Sequence, residues 1–176
     1  MDDQILEKEK VLVDNMFCFQ CQEASKGIGC SVKGVCGKTD EVSNLQDLLI
    51  FVCKGVAILN HIGNKHHQTY EFADKFIYEA LFITITNANF DDTKIISKIK
   101  EGFEVRKGIT QMLAVKGIAL PEKLHSSTSW EADDYSELER KARLVGVKVE
   151  LNEDIRSLKE LVIYGLKGMA AYAEHA

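Results

Sequence analysis

Four of the chain's five cysteines fall in one stretch, Cys18, Cys21, Cys30 and Cys36, with the spacing C-x2-C-x8-C-x5-C. Two residues between the first pair let both sulfurs point at one metal, and the later two can close its other side. Serial crowding of this kind is how cubane iron–sulfur clusters are held, by four thiolates. Gly27, Gly29, Gly34 and Gly37 suit that role. Glycine permits the positive φ angles of a tight wrap and lets amide N–H groups approach the sulfurs.

Three other readings of the same residues compete. A structural zinc site also takes four cysteines, but usually as two C-x2-C hooks set further apart. Disulfides suit a secreted chain, and nothing here reads as a signal peptide. Thioredoxin-like chemistry needs a C-x-x-C between a strand and a helix, without two further cysteines behind it. A metal centre is the expectation, with a zinc-stabilised structural domain as its rival.

Met16-Phe-Cys-Phe-Gln-Cys-Gln-Glu23, followed by Gly29-Cys-Ser-Val-Lys-Gly-Val-Cys-Gly-Lys38, resembles the amino terminus of the hybrid-cluster proteins, also called hydroxylamine reductases or prismane proteins. The likeness continues through Asn44-Leu-Gln-Asp-Leu-Leu-Ile-Phe-Val52 and Thr84-Ile-Thr-Asn-Ala-Asn-Phe-Asp-Asp92. It returns at Glu153-Asp-Ile-Arg-Ser-Leu-Lys-Glu-Leu161 and runs to Ala176. It implies a [4Fe-4S] cluster on Cys18, Cys21, Cys30 and Cys36. It also implies an oxidoreductase in which that cluster relays electrons from a donor protein to a hybrid iron–sulfur–oxygen cluster. There hydroxylamine is reduced to ammonia, or nitric oxide is handled. The resemblance places the hybrid-cluster ligands in later domains absent from this chain, so the catalytic set here is expected to be empty and the fragment inactive alone. A standalone electron carrier or accessory protein is the alternative.

Composition bounds the rest. The chain has 176 residues, 45% hydrophobic and 28% charged, with a net charge of −5. That is enough for one ordinary core and gives no basic surface for nucleic acid. No uncharged run approaches the ~20 apolar residues that span a bilayer. The expectations are a cytoplasmic protein with no nucleic-acid or membrane partner, bound to an electron donor and to the missing domains of the same enzyme.

Periodicity predicts an all-α fold of two related helix-bundle units with the cysteine loop at the front. Residues 1–15 read as an extension, disordered or a short helix, and 16–38 as the cluster loop. Residues 39–115 read as a first bundle, 116–134 as a linker or exposed loop around Pro121, and 135–176 as the truncated start of a second unit. Predicted helices run over 44–62, 71–86, 91–115, 135–146 and 153–175. Ser43 and Gln46 form a capping box for the first. Ile95, Ile96, Ile99, Phe103 and Met112 face the bundle in the third. Leu45–Ala57 repeats as Leu158–Ala170, aligning Lys54-Gly55 with Lys167-Gly168 and suggesting close helix crossings at both glycines. Cys53 is read as core rather than a fifth ligand, His61, His66 and His67 as exposed rather than metal-binding, Lys33 and Lys38 as solvated rather than moderating the cluster's charge, and Asn87 and Asn89 as helix caps.

Overall fold

The computed structural model describes residues 16–85 and 89–175. The expectations for residues 1–15 and for Asn87 lie outside the described residues. Five α-helices account for most of the rest: α1 (Asp40–Lys65), α2 (Glu71–Ile83), α3 (Asp92–Val115), α4 (Tyr135–Val145) and α5 (Glu153–Glu174). Among the described residues the only β pairing is one isolated bridge inside the cysteine loop. The fold is all-α.

Helix α1 is the axis. It starts four residues before the predicted boundary because Thr39, not Ser43, is its N-cap, accepting the Val42 N–H at 3.3 Å. Asp40 and Glu41 then fill the first turn, where negative charge meets the exposed N–H groups. Ser43 and Gln46 are buried inside the helix, so the capping-box reading is wrong. Leu45, Leu48, Leu49, Val52, Val56 and Leu59 form one buried stripe, and Phe51 opens a second face against Trp130 and His125. By length and composition alone α1 could cross a membrane, but here α2, α3, α4 and the 126–128 turn cover it.

The other helices close around that axis. Asp91 caps α3 by accepting from Thr93 and Lys94 N–H, and Asn89 accepts from Asp91 N–H at 2.8 Å. Ile95, Ile99 and Phe103 pack inward as predicted, but Met112 is 46% exposed. The buried seam instead continues through Arg106, Ile109 and Leu113. Gly102 is the close crossing: a Cβ there would collide with Val52 and Phe76. Helix α2 ends at Ile83, three residues early, where the Thr84 hydroxyl turns back to Leu81 O at 2.8 Å.

The 116–134 segment is irregular and mostly exposed, but it is anchored on the core by buried Ser127 and Ala132. Ser127 is fully buried, its carbonyl lying directly against Gly55, and Arg106 donates to the carbonyls of Ser127 and Trp130. Gly55 therefore admits a loop rather than a crossing helix. Gly168 has open space where a Cβ would stand, so it makes no crossing here either. Asn152 caps α5 through Ile155 N–H. This repeat of α1 lies along α2; among its described side chains only Lys167 and Ala170 are buried, while Leu158, Leu161, Val162 and Met169 face outward.

Candidate metal centre

Residues 16–38 leave Ile28, Val32 and Val35 in solvent, and backbone pairing ties the loop together. Cys18 N–H donates to Cys30 O at 2.9 Å, and Cys30 N–H donates to Cys18 O at 2.7 Å. Between them a 3-10 turn at Ser25–Gly27 aims the Ser25 N–H at the Cys30 sulfur, 3.4 Å away. Gly29 has φ +155°, and a Cβ on it would stand 2.6 Å from Phe17 Cε2, so only glycine lets this strand lie on that ring. Gly37, at φ +95°, reverses the chain, and Gly34 N–H donates to Lys38 O at 2.8 Å.

All four loop cysteines are free thiols: Cys30 buried, Cys18 and Cys21 half-buried, Cys36 exposed. Among the described residues no three His, Cys, Asp or Glu side chains lie together at metal-holding distance. The loop thus collects four thiols without closing them on a common point. The donor set nevertheless suits a thiolate-bound cluster, since an N–H group and an ammonium already face two of the sulfurs.

The loop sits on a polar floor between α1 and α5. Lys38 is only 1% exposed, and its Nζ lies 2.7 Å from Gln46 Oε1 and 4.0 Å from Cys18 Sγ. Gln46 in turn donates to Asn89 O at 3.2 Å. A small cavity of about 20 Å³ follows, lined by Cys18, Gln46, Asp47, Glu160, Tyr164 and Lys167 among others. Asp47 as a whole residue is partly exposed, yet burial of its carboxyl pushes its pKa up to about 7, against the pull of Lys167. Burial also raises Glu160 and lowers Lys167 to about 8, with Asp47 opposing the latter shift. Lys167 donates to Thr84 O at 3.4 Å. With its amide oriented to satisfy both neighbours, Gln20 donates to that carbonyl and accepts from Lys167 Nζ, each at 3.0 Å.

Sequence reasoning located the loop but not this floor. Lys38, expected in solvent, is buried, while Lys33 is exposed. Gln20, Asp47, Glu160 and Lys167 were assigned no role. The internal repeat held the signal, because Asp47 and Lys54 align with Glu160 and Lys167 at seven-residue spacing, which puts each pair on one helix face. Cys53 lies in the core, 5% exposed, its thiol pushed up to about 12 by burial. His61, His66 and His67 are exposed.

Comparison with known proteins agrees with the resemblance. A hydroxylamine reductase of Desulfitobacterium hafniense is 52% identical over 162 residues, covering 92% of this chain and 30% of its own length. One from Bacteroides thetaiotaomicron is 56% identical over 163 residues, with 92% and 28% covered. One from Clostridium botulinum is 44% identical over 185 residues, with 92% and 32% covered. The chain thus spans about a third or less of the length of these relatives. Residues 16–176, cysteine loop and helices together, match the Prismane/CO dehydrogenase family, and the chain belongs to it.

Proposed function

We propose that this chain is the electron-relay part of a hydroxylamine reductase, holding one [4Fe-4S] cluster on Cys18, Cys21, Cys30 and Cys36. The observation that carries the reading is the backbone pairing of Cys18 with Cys30, which anchors two of four free thiols in one loop. When bound, a cluster of this type accepts and releases single electrons at a potential set by sulfur hydrogen bonds, local charge and solvent access.

The chain's own residues supply those settings. Ser25 N–H faces the Cys30 sulfur. Met16 and Cys30 bury one side of the loop, while exposed Cys36 leaves the other open to a donor protein. Aromatic packing of Phe17 on Phe19, with rings 5.6 Å apart, stiffens the first C-x-x-C. Unpaired thiols suit a reducing compartment, so the cytoplasm is the proposed location. Reduction of hydroxylamine to ammonia, or handling of nitric oxide, belongs in this reading to a hybrid cluster elsewhere in the full-length protein. Outside the loop the chain offers only the buried thiol of Cys53.

The test is an anaerobic assay of the iron- and sulfide-loaded chain with reduced methyl viologen. The visible absorption should bleach as the protein is reduced. Hydroxylamine added afterwards should yield no ammonia beyond that given by Cys21→Ser protein and free iron. Ammonia well above those controls would place catalysis in this chain and defeat the relay reading.

A further inference from the structure

Among the described residues Lys38 is the least exposed of the buried charged side chains. Lysine is almost never fully buried unless paired, and an ammonium taken out of water without a counter-charge is strongly penalised. Lys38 is 1% exposed, and among the described residues its Nζ forms no ion pair with a carboxylate. The neutral Gln46 amide holds it at 2.7 Å, and Asn89 O holds that amide in turn. The side chain is thus fixed from behind, with its ammonium 4.0 Å from the sulfur of Cys18. Asp47 is near enough to feel Lys38, but it is pulled more strongly by Lys167. A buried cation clamped by a neutral group and aimed at a sulfur is arranged for an anion that arrives on that sulfur.

We propose that Lys38, fixed by Gln46, is the internal counter-cation of the thiolate-bound centre at Cys18, and a positioning residue that sets the potential of that centre. The inference rests on the cluster reading above. A positive charge beside the centre favours the form carrying the extra electron, so its removal makes reduction harder. The same charge should hold the loaded loop in place, because a cation without its anion gains nothing from burial. The role differs from that of a lysine retained for packing, which would support the loaded and metal-free forms alike.

The experiment compares wild type, Lys38→Met and Gln46→Glu in the chain loaded anaerobically with iron and sulfide. Lys38→Met keeps the stem and removes the charge. Gln46→Glu leaves the lysine in place but gives it a carboxylate to pair with, and it serves if Lys38→Met does not load. A redox titration followed by electron paramagnetic resonance should show the potential falling in both variants. The expected change is at least tenfold in the reduction equilibrium, about 59 mV for one electron. In parallel, the rise in denaturation midpoint on loading should be smaller in Lys38→Met than in wild type, a comparison that cancels any purely structural loss. Unchanged potentials in loaded variants, with an equal rise on loading, would overturn the role of Lys38 alone. A wild-type chain that takes up no iron and sulfide would instead overturn the cluster reading.

Discussion

Cys18 and Cys30 exchange both of their backbone hydrogen bonds, N–H to O distances being 2.9 and 2.7 Å, so the two ends of a thirteen-residue loop are locked together before any metal is considered. Their sulfurs meet different partners, the Lys38 ammonium for Cys18 and the Ser25 N–H for Cys30. Cys53 belongs to another part of the molecule, in the α1 core. Cys30→Ser should therefore abolish or cripple the visible absorption of anaerobically loaded protein. Cys53→Ser should keep it, while losing about 1–3 kcal/mol of stability for a buried hydroxyl without a designed partner. Colour retained in Cys30→Ser and lost in Cys53→Ser would mean that the ligands are misassigned.

Loop and helices draw on different sources of order. The helices bury a continuous apolar core from Val42 to Ala142, whereas the loop leaves Ile28, Val32 and Val35 in solvent. Metal-free protein should keep most of its far-UV helical signal and be cut by protease preferentially between Cys18 and Cys36, with loading suppressing the cuts. A metal-free chain without helical signal would contradict this division.

The two glycines of the internal repeat should respond in opposite directions. Gly55→Ala drives a methyl group into the Ser127 carbonyl, which Arg106 holds fast. A loss of about 1–3 kcal/mol is expected from such overpacking. Gly168→Ala meets open space in the middle of α5 and should gain up to about 1 kcal/mol from helix propensity. Urea denaturation of this chain measures both, and equal effects would show that the 126–128 turn does not fix Gly55.

Asp47 gives the protein a signature in its pH dependence. Its carboxyl titrates near 7 in the folded chain, against about 4 when unfolded. Between those values the native state holds a proton that the unfolded state has lost, so this group's contribution to stability falls as pH rises through the window. Asp47→Asn stays neutral throughout. The stability of the variant relative to wild type should therefore grow from about pH 4 to about pH 7, read from urea midpoints of metal-free protein. Lys167, lowered to about 8, acts only above that range. A difference that stays flat with pH would remove Asp47 from the buried floor.

The cysteine loop and the helices were legible because both are local. Thiol spacing is written in consecutive residues, and an apolar stripe at three- and four-residue intervals survives without knowledge of its partner. What was misread depends on distant neighbours. Lys38 looks like a solvated loop lysine until Gln46 of α1 is folded over it. Ser43 and Gln46 satisfy the capping-box pattern, but Thr39 starts the helix one turn earlier and carries both into the interior. Met112 has the right spacing for the core and loses it to Ile109 and Leu113. Asp47 and Glu160 sit at equivalent places in the repeat, yet only the packing of α5 near α1 brings them to one cavity.

The most direct test is elemental analysis of the chain purified or reconstituted without oxygen. Four thiolates around a cubane require about four iron and four acid-labile sulfide per chain with negligible zinc, and Cys21→Ser should lose most of both. One zinc per chain without sulfide would make the loop a structural site and contradict the account.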